Sequence, residues 1–392
     1  MSTPGTGEPR CGFCGQPARA VKKLLKGDAQ EVYICDECVY ISIDVLEEST
    51  VERAKTQKKG QRLDRPTPKE IVDHLNQYVV GQDQAKKTLA VAVYNHYKRI
   101  GKSTKTDLSK SNVLLVGPTG CGKTYLVESI AKFLQVPFAS ADATSMTEAG
   151  YVGDDVDSVL VKLVQTCDGD IAKAERGIVY IDEIDKIAAR ESRGRDVSGE
   201  GVQQGLLKML EGSIVQINPN GKKNAQANTE TINTKDILFI CGGAFSGITD
   251  PAQKKRTLGI GLNRDLQETA ADNRIRHRDL VKFGMIPEFV GRLPLLAQLN
   301  PLKQEDLVKI MTEPKNSLVK QYQELFAMDG VKLTFSEKFL LEVARRANAE
   351  GTGARGLRAI AEPALLELMY RIPEEEMESV EITEELLEKE KP

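Results

Sequence analysis

From Pro68 onward, the chain alternates between short apolar runs and longer amphipathic stretches. Each run is rich in Val, Ile or Leu and is bounded by polar or turn-forming residues. The runs are residues 113–116, 136–139, 178–181, 237–241 and 295–299. Such runs are typical of strands that are buried on both faces. Because helix-like stretches separate them, the pattern predicts an α/β fold in which helices cover both faces of a parallel sheet.

The strand pattern fades after Asn300 and Pro301. Apolar positions then recur at helical spacing, and they predict helices within residues 304–328, 336–346 and 352–371. One short candidate strand, residues 379–383, precedes an acidic tail. We therefore expect a separate, mainly helical subdomain at the C-terminal end.

The first part of the chain has a different composition. Residues 1–48 hold four of the seven cysteines, and residues 49–67 are polar and rich in basic side chains. A linker is the favoured interpretation of 49–67, with a short solvated helix as the alternative. The predicted organisation is a cysteine-rich domain (1–48), a linker (49–67), a large α/β subdomain (68–300) and a small helical subdomain (301–392).

Composition excludes several classes of protein. The chain has 392 residues, with 54 Lys and Arg against 57 Asp and Glu, so a protein that mainly coats nucleic acid is not expected. Tryptophan is absent and aromatic residues make up 5%, which disfavours stacking of single-stranded nucleic acid. The sequence has neither a membrane-length apolar run nor an apolar core near its start, so we expect a cytoplasmic protein without a membrane partner.

A phosphate-binding loop lies between the predicted strand 113–116 and an amphipathic stretch at 125–134. Its sequence matches G-x-x-x-x-G-K-[ST], and this context of strand and helix is the one that the motif requires. Glycines let the loop N–H groups approach phosphates, Lys123 reaches the β- and γ-phosphates, and the Thr124 hydroxyl binds Mg²⁺. A chance Gly-rich turn is the alternative. The predicted ATP-binding residues here are Gly117, Pro118, Thr119, Gly120, Cys121, Gly122, Lys123, Thr124 and Tyr125.

A second motif follows about 60 residues later. The apolar strand 178–181 ends in Asp182 and Glu183. At the tip of such a strand, Asp182 would hold Mg²⁺ and Glu183 would polarise the attacking water. Alone, this acidic pair would be interpreted as a solvated strand end. Beside a phosphate loop, it indicates an ATPase.

The clustered cysteines form two pairs, Cys11 with Cys14 and Cys35 with Cys38, and 20 residues separate the pairs. This is the spacing of a four-thiolate structural Zn²⁺ site, which leaves no open position for catalysis. A redox dithiol or unconnected core cysteines are the alternatives. No helix in this block carries a dense basic face, so protein binding or dimerisation is favoured over DNA binding. The apolar residues available for such a surface are Val32, Ile34, Val39, Ile41, Ile43 and Val45.

Together, the Cys₄ block, the linker, GPTGCGKT, VYIDEIDKI and GARGLR resemble the ClpX family of AAA+ unfoldases over nearly the whole chain, about residues 11–383. The resemblance implies a homohexamer that hydrolyses ATP between subunits and threads tagged protein substrates into the ClpP peptidase. It also implies adaptor binding or dimerisation through the zinc domain. Val79 and Val80 match the segment that packs around adenine.

The resemblance also assigns two arginines. Arg292, in PEFVGRL, matches the arginine finger that reaches the γ-phosphate in the neighbouring subunit. A surface salt bridge is the alternative for Arg292. Arg355, in GARGLR, matches the sensor-2 arginine, and Arg358 is the weaker choice for that role. No Asn or Thr directly follows the strand 237–241, so the sensor-1 role stays unassigned.

Three loops are assigned by resemblance alone. Tyr151 and Val152, between glycines, match the first pore loop, although Tyr151 taken alone would be an ordinary loop aromatic. Ile260, Gly261 and Leu262 stand where relatives carry the Ile-Gly-Phe that docks ClpP, and a loop with stray aliphatic residues is the alternative. Residues 222–224 (Lys-Lys-Asn) stand where many relatives have Arg-Lys-His, so the preference for a C-terminal tag is open.

Three other functions compete with this interpretation. An AAA+ machine that remodels protein–nucleic acid complexes without a peptidase would need a basic pore. A non-enzymatic zinc scaffold would not need the intact set of Lys123, Asp182 and Glu183. HslU-like unfoldases share the ATPase core, but the resemblance to them lacks the zinc domain.

Overall fold

The computed structural model describes residues 9–27, 32–42, 66–101, 106, 108–147, 154–189, 197–218, 230–248, 274–372 and 377–388. The chain divides into two compact units, Met1–Arg65 and Pro66–Pro392. We refer to them as the N-terminal unit and the C-terminal unit. Within the described ranges, every helix is too short or too polar to cross a lipid bilayer.

The N-terminal unit is built on one short hairpin. Strands β1 (Leu24–Lys26) and β2 (Tyr33–Cys35) pair antiparallel, with Leu24 opposite Cys35. A 3₁₀ turn (Ala18–Ala20) precedes β1, and a helix, α1, covers residues 36–42. Three-residue strands have little pairing energy of their own, so this unit needs another source of stability.

The C-terminal unit contains the remaining strands. In chain order they are β3 (Val113–Val116), β4 (Phe138–Asp142), β5 (Met146–Thr147), β6 (Asp154–Asp155), β7 (Ile178–Asp182), β8 (Ile214–Ile217), β9 (Glu230–Asn233), β10 (Leu238–Gly243), β11 (Leu295–Gln298), β12 (Lys332–Phe335) and β13 (Ser379–Ile382). Five of them form the central sheet in the order β11-β3-β10-β7-β4, and every pair in it is parallel. This confirms the predicted α/β class.

The helices of the C-terminal unit follow the same chain order. They are α2 (Pro68–Asn76), α3 (Asp83–Ile100), α4 (Lys123–Leu134), α5 (Ser158–Gln165), α6 (Ile171–Ala174), α7 (Val197–Glu211), α8 (His277–Phe283), α9 (Pro287–Gly291), α10 (Gln304–Thr312), α11 (Leu318–Met328), α12 (Glu337–Ala349), α13 (Gly356–Arg371) and α14 (Glu385–Glu388). Short 3₁₀ turns occur at Ala143–Ser145, Ile184–Ile187, Thr234–Asp236 and Gly353–Arg355.

Alternate residues of the central strands face two different cores. Leu114 and Val116 of β3 join a cluster with residues of α5, α7, α8 and α9. Val113 and Leu115 join a second cluster, with residues of α2, α3 and α4. Period-2 alternation in a sheet covered on both sides produces this division. Because β3 and β7 both pair parallel with β10, their carboxyl ends lie at one edge of the sheet, where parallel folds bind ligands.

The C-terminal part, from Gln304 onward, has a third core that is formed mainly by α10, α11, α12 and α13. It also contains a two-stranded parallel sheet of β12 and β13, with Leu333 opposite Val380. The sequence predicted β13 but missed β12. The predicted helical stretch 304–328 is two helices, because Pro314 interrupts it and the Ser317 side chain caps the second helix.

Strand boundaries differ slightly from the predicted ones. The strand expected at 136–139 is β4, and it begins only at Phe138 because the preceding helix ends at Gln135 in the left-handed region (φ 54°). β10 begins one residue later than expected and runs on to Gly243. β3 has the predicted bounds, since its four residues are all buried and turn-forming residues flank them.

Candidate nucleotide and zinc sites

The four clustered cysteines converge on one point of the N-terminal unit. Their sulfur atoms all lie within 4.8 Å of one another, and the Sγ atoms of Cys14 and Cys35 are 3.7 Å apart. The backbone N–H of Cys35 donates to Cys11 Sγ (3.2 Å), and the N–H of Cys38 donates to Cys35 Sγ (3.4 Å). The first of these bonds joins the two cysteine pairs and the second lies within the pair of Cys35 and Cys38, so the backbone helps to hold the sulfur atoms together.

This arrangement fits Zn²⁺. A tetrahedral ion with Zn–S bonds of about 2.3 Å separates its sulfurs by about 3.8 Å, close to the spacing found here. Hydrogen bonding, chiefly from the Cys14 backbone, lowers the pKa of the Cys11 thiol to about 6. The Cys35 side chain and burial raise the pKa of Cys38. Four thiols so close together ionise fully only when a cation compensates their charge, and Zn²⁺ does so.

The phosphate loop joins β3 to α4 in the C-terminal unit. Gly120 (φ 74°) and Gly122 (φ 96°) have left-handed backbones, which glycine adopts without a steric penalty. Lys123 begins α4 and is 9% exposed, and its Nζ donates to the carbonyls of Gly117 (2.8 Å) and Pro118 (3.0 Å). The helix N-terminus, its flanking N–H groups and this ammonium group make the loop suited to bind an anion.

The carboxylate of Asp182, at the end of β7, accepts three hydrogen bonds. Its Oδ2 accepts a hydrogen bond from Thr124 Oγ1 (2.9 Å). Its Oδ1 accepts from the Tyr180 hydroxyl (3.1 Å) and from the backbone N–H of Glu183 (2.9 Å). The two predicted Mg²⁺ ligands, Thr124 and Asp182, are therefore in direct contact, although 58 residues separate them. A hydroxyl and a carboxylate are ligands that Mg²⁺ accepts.

Glu183 has an unusual backbone. Its φ of 55° lies in the left-handed region, which residues other than glycine rarely occupy. Such strain costs roughly 1–3 kcal/mol and tends to occur at functional positions. The turn ends β7 and places Glu183 directly beyond Asp182, at the same edge of the sheet as the phosphate loop.

A cleft of about 250 Å³ lies between the part of the C-terminal unit that carries the central sheet and the part from Leu302 onward that has the third core. We refer to these two parts as the large and the small subdomain. Tyr78, Val79 and Val80 line one side, the segment from Gly120 to Tyr125 lines the floor, and Leu302, Ile310, Ala354 and Arg355 come from the small subdomain. The backbone N–H of Ala354 donates to the carbonyl of Gly120 (3.2 Å), so the two subdomains meet at the loop itself. Its apolar end and its cationic end match a nucleotide base and its phosphates.

Known proteins resemble each of these parts. The ClpX C4-type zinc finger matches residues 9–48, the AAA domain (Cdc48 subfamily) matches 108–296, and the C-terminal D2-small domain of ClpB matches 302–384. The "ATP-dependent Clp protease ATP-binding subunit ClpX 2" of Wolinella succinogenes is 47% identical over 382 residues, which covers 96% of this chain and 94% of the relative. The corresponding ClpX of Porphyromonas gingivalis is 48% identical over 381 residues, which covers 93% of this chain and 92% of the relative.

The chain belongs to the ClpX family. The predicted membership is thereby confirmed, as is the prediction of an AAA-type ATPase that uses ATP, Mg²⁺ and Zn²⁺. When bound, Zn²⁺ joins the two cysteine pairs, and Mg²⁺ neutralises phosphate charge beside Thr124 and Asp182.

The two arginines of this ClpX-family chain lie in different surroundings. Arg355 lines the nucleotide cleft, whereas Arg358 donates to Gln321 Oε1 and packs over the ring of Tyr322 (5.8 Å) within the small subdomain. Arg292 caps α9 and forms an ion pair with Glu211, so it lies apart from the cleft of its own chain. Tyr151, Val152, Ile260, Gly261, Leu262 and the segment 222–224 lie outside the described residues.

Sequence reasoning missed several residues of this ClpX-family site. Tyr180 supports Asp182, and a Cβ at Gly242 would collide with the Tyr180 hydroxyl. Gln82 donates to Asn300 O (2.9 Å) and accepts from Asn300 N (2.8 Å). These bonds join the segment 78–82, which includes the cleft residues Val79 and Val80, to the residues that follow β11. A tyrosine among aliphatic strand residues, two positions before Asp182, was an available signal for Tyr180. Gln82 and Asn300 carry no local signal.

Proposed function

We propose that this chain is the ATP-driven unfoldase and translocase of a Clp protease, working as a homohexamer that threads protein substrates into the ClpP peptidase in the cytoplasm. The observation that carries the proposal is that Thr124, which lines a cleft shared by both subdomains, is hydrogen-bonded to Asp182, the residue before Glu183. That arrangement joins ATP hydrolysis to the relative position of two subdomains. The names of the relatives, which are subunits of a Clp protease, support the peptidase partner.

In this proposal the phosphate loop and the end of β7 divide the chemistry between them. Lys123 binds the β- and γ-phosphates, and the Thr124 hydroxyl and the Asp182 carboxylate hold Mg²⁺. Glu183 accepts a proton from the attacking water as general base. Because Ala354 is hydrogen-bonded to Gly120, loss of the γ-phosphate at the loop changes what the small subdomain contacts. Arg355 senses that change from the small-subdomain side of the cleft.

The remaining assignments rest on the family. Arg292 completes the site of the neighbouring subunit, Tyr151 and Val152 grip the substrate in the pore, and Ile260, Gly261 and Leu262 dock the peptidase. Residues 1–48 form a zinc domain that collects adaptors or dimerises, 49–67 a linker, and 68–300 and 301–392 the large and small AAA+ subdomains. In the zinc domain Phe13, Tyr40 and Ile41 are at least 61% exposed, which supports a docking surface for protein.

The deciding experiment measures the loss of fluorescence of a stable fluorescent protein that carries an ssrA-type C-terminal tag, with ATP, with and without ClpP. We expect ATP-dependent unfolding by the wild type. Glu183→Gln should bind ATP but hydrolyse it at least about a hundredfold more slowly, since general-base catalysis contributes at least that factor. Tyr151→Ala should hydrolyse ATP normally yet unfold the substrate more slowly.

Each outcome separates two alternatives. Equal unfolding by wild type and Tyr151→Ala would remove Tyr151 from the mechanism. Normal hydrolysis by Glu183→Gln would remove Glu183 as the base. ATPase activity without unfolding of any member of a panel of tagged proteins, with and without an adaptor, would favour the other candidate, an AAA+ machine acting on protein–nucleic acid complexes.

A further inference from the structure

The guanidinium group of Arg292 has an acidic partner within its own chain. Arg292 Nη2 lies 2.6 Å from Glu211 Oε1, at the last residue of α7. The helix ends there because Gly212, with φ 98°, turns the chain away. The C-terminal end of a 15-residue helix carries negative partial charge, which adds to the attraction between the two side chains.

A buried amide fixes the backbones that carry this ion pair. Asn112, 1% exposed, donates from Nδ2 to the carbonyl of Leu210 (3.1 Å) and to the carbonyl of Arg292 (3.0 Å). One side chain therefore joins the end of α7 to the cap of α9. Breaking the bond to Leu210 would leave a buried carbonyl that has to find another donor, and the bond to Arg292 holds the cap of α9 against the same amide, so the relative position of Glu211 and Arg292 is well determined.

A second buried amide, that of Gln203, joins α7 to the 3₁₀ turn that follows β7. Gln203, fully buried in α7, donates from Nε2 to the carbonyl of Ile187 (2.7 Å) and accepts at Oε1 from the N–H of Ile286 (2.8 Å). Ile187 ends the 3₁₀ turn that follows Asp182 and Glu183, and Ile286 is the N-cap of α9. Thus α7 is hydrogen-bonded both to the turn beyond the catalytic residues and to the helix that carries Arg292.

The ion pair itself remains accessible. The Arg292 side chain is 53% exposed and the Glu211 side chain 45% exposed. An exposed pair of this kind contributes little free energy, so a multiply charged phosphate can compete for the guanidinium. The fixed backbone keeps Arg292 in position, and the exposed side-chain contact lets its guanidinium group exchange the Glu211 carboxylate for a phosphate.

We propose that Glu211 is the resting counter-ion of Arg292, a positioning residue that holds the arginine finger within its own subunit until the γ-phosphate of ATP in the neighbouring subunit displaces it. This inference rests on the proposed role of Arg292. Engagement of the finger then costs the free energy of the ion pair, so Glu211 raises the ATP concentration at which the ring is half-saturated. Because α7 connects to the catalytic turn through Gln203, the position of the resting finger follows the state of its own subunit.

The test is the ATP dependence of hydrolysis by the full-length hexamer with Glu211→Gln, which keeps the shape of the side chain and removes its charge. We expect the half-saturating ATP concentration to fall about two- to fivefold, the factor that the loss of a half-exposed ion pair provides. The maximal rate should stay within about twofold, and the melting temperature should fall by no more than about 4 °C, because so weak a pair contributes little to folding. A merely structural role would leave the half-saturating ATP concentration unchanged. Glu324→Gln, at an exposed position of α11, is the matched control and should change neither constant.

A double variant decides whether Glu211 acts through Arg292. In an Arg292→Ala background, Glu211→Gln should have no further effect on the affinity of the ring for ATP, which titration of a fluorescent ATP analogue measures without hydrolysis. If Arg292→Ala abolishes hydrolysis while Glu211→Gln keeps the wild-type half-saturating ATP concentration, this inference is wrong and the finger role stands. If Arg292→Ala hydrolyses ATP like the wild type, the finger role fails and this inference fails with it.

Discussion

The N-terminal and C-terminal units differ in what holds them together. Among the described residues of the N-terminal unit, the buried apolar side chains are those of Cys11 and Cys35, while Phe13, Tyr40 and Ile41 are exposed. The C-terminal unit has three apolar clusters that involve most of its helices and strands. In the N-terminal unit the cysteine cluster is itself the buried core. In the C-terminal unit, separate apolar clusters form the core and hold the residues of the nucleotide site in place.

This difference predicts opposite responses to damage at the two sites. Apolar burial contributes roughly 25 cal/mol per Å², and a few short segments bury too little to offset their conformational entropy. The metal must therefore supply the stability of the N-terminal unit. In the C-terminal unit, Asp182 and Glu183 stand at the end of a strand whose first four residues are fully buried, so changes at these acids leave the sheet intact.

The largest expected effect is loss of the N-terminal unit when zinc is removed. A strong chelator, or Cys35→Ser, should abolish its structure, because Zn²⁺ binding contributes about 10–16 kcal/mol in small zinc domains. Hydrogen exchange should then show no protection in residues 9–42, while the C-terminal unit keeps its melting temperature and its affinity for ATP. Zinc content measured on the same samples relates the loss to the metal.

Cys167→Ser is the matched control for this experiment, since Cys167 is a buried cysteine outside the cluster. It should leave zinc content and protection of the N-terminal unit unchanged. Retained protection in metal-free wild type would show that the unit folds without its ion, and the comparison between the two units would fail.

The second effect concerns the contact between the subdomains at the phosphate loop. A Cβ at Gly120 would collide with the Thr352 carbonyl, and the backbone there has φ 74°. Gly120→Ala should weaken ATP binding about thirtyfold, since overpacking costs about 2 kcal/mol and the loop must shift. Titration of a fluorescent ATP analogue measures the affinity.

Gly351→Ala separates collision from backbone strain. Gly351 has a similar φ of 66°, but a Cβ there meets no atom within 4 Å. It should destabilise the protein by about 1 kcal/mol through its left-handed backbone and leave ATP affinity nearly unchanged. Equal losses of affinity in both variants would mean that strain, and not the contact of the subdomains, sets the affinity.

A smaller effect is expected at Tyr180. Tyr180→Phe removes the hydroxyl that donates to Asp182 Oδ1, while the phenylalanine ring fills the space of the tyrosine ring. Because a hydrogen bond to a charged group contributes about 1.5 kcal/mol, the Mg²⁺ concentration needed for half-maximal hydrolysis should rise about tenfold. Thermal unfolding should change little, which distinguishes a disturbed site from a disturbed core.

Tyr97→Phe provides the comparison for Tyr180. The Tyr97 hydroxyl is also largely buried and donates to a carbonyl, that of Arg176 (3.0 Å). Its loss should lower stability by about 1 kcal/mol and leave the Mg²⁺ requirement unchanged. An unchanged Mg²⁺ requirement in Tyr180→Phe as well would rule out a positioning role for that hydroxyl.

The sequence was most informative where a short segment determines its own structure. The strand Val113–Val116 and the phosphate loop need only an apolar run, positive-φ glycines and a helix start, and all three are local. The cysteine pairs are local too, and metal geometry leaves them one arrangement. For these segments the sequence predicted the fold, and in the structure the four cysteines lie together and residues 120–125 of the loop line the cleft.

Contacts between distant segments had no such signal. The strand Lys332–Phe335 has only four residues, and it exists because it pairs with a strand 47 positions further on, at Ser379–Ile382. Asn112 and Arg292 are joined across 180 residues, and nothing in either segment indicates the other. The periodicity of a segment shows which face is buried, but not which polar group from elsewhere in the chain will meet it.

Lys110 is a cationic side chain that packs against the core of the C-terminal unit. Its ammonium group donates to the carbonyls of Thr234 (2.8 Å) and Met209 (3.4 Å) and lies over the ring of Phe239 (4.4 Å). Burial, with a smaller contribution from Arg99, lowers the pKa of Lys110 to about 7. An unfolded lysine has a pKa of about 10.4, so between these values the unfolded chain binds a proton that the folded chain releases.

The smallest predicted effect follows from that difference. Where the unfolded state binds more protons, stability rises with pH, so Lys110 should add about 1 kcal/mol to the free energy of unfolding between pH 7 and pH 8. Lys110→Met should remove this increment. It should leave neither carbonyl unpaired, because Met209 O still accepts from Thr234 Oγ1 (3.0 Å) and Thr234 O still accepts from Ile237 N (3.3 Å). Urea unfolding of both proteins at the two pH values gives the difference directly. Identical pH dependence would mean that Lys110 stays charged when folded and that its two carbonyl partners and the Phe239 ring compensate the burial of its charge.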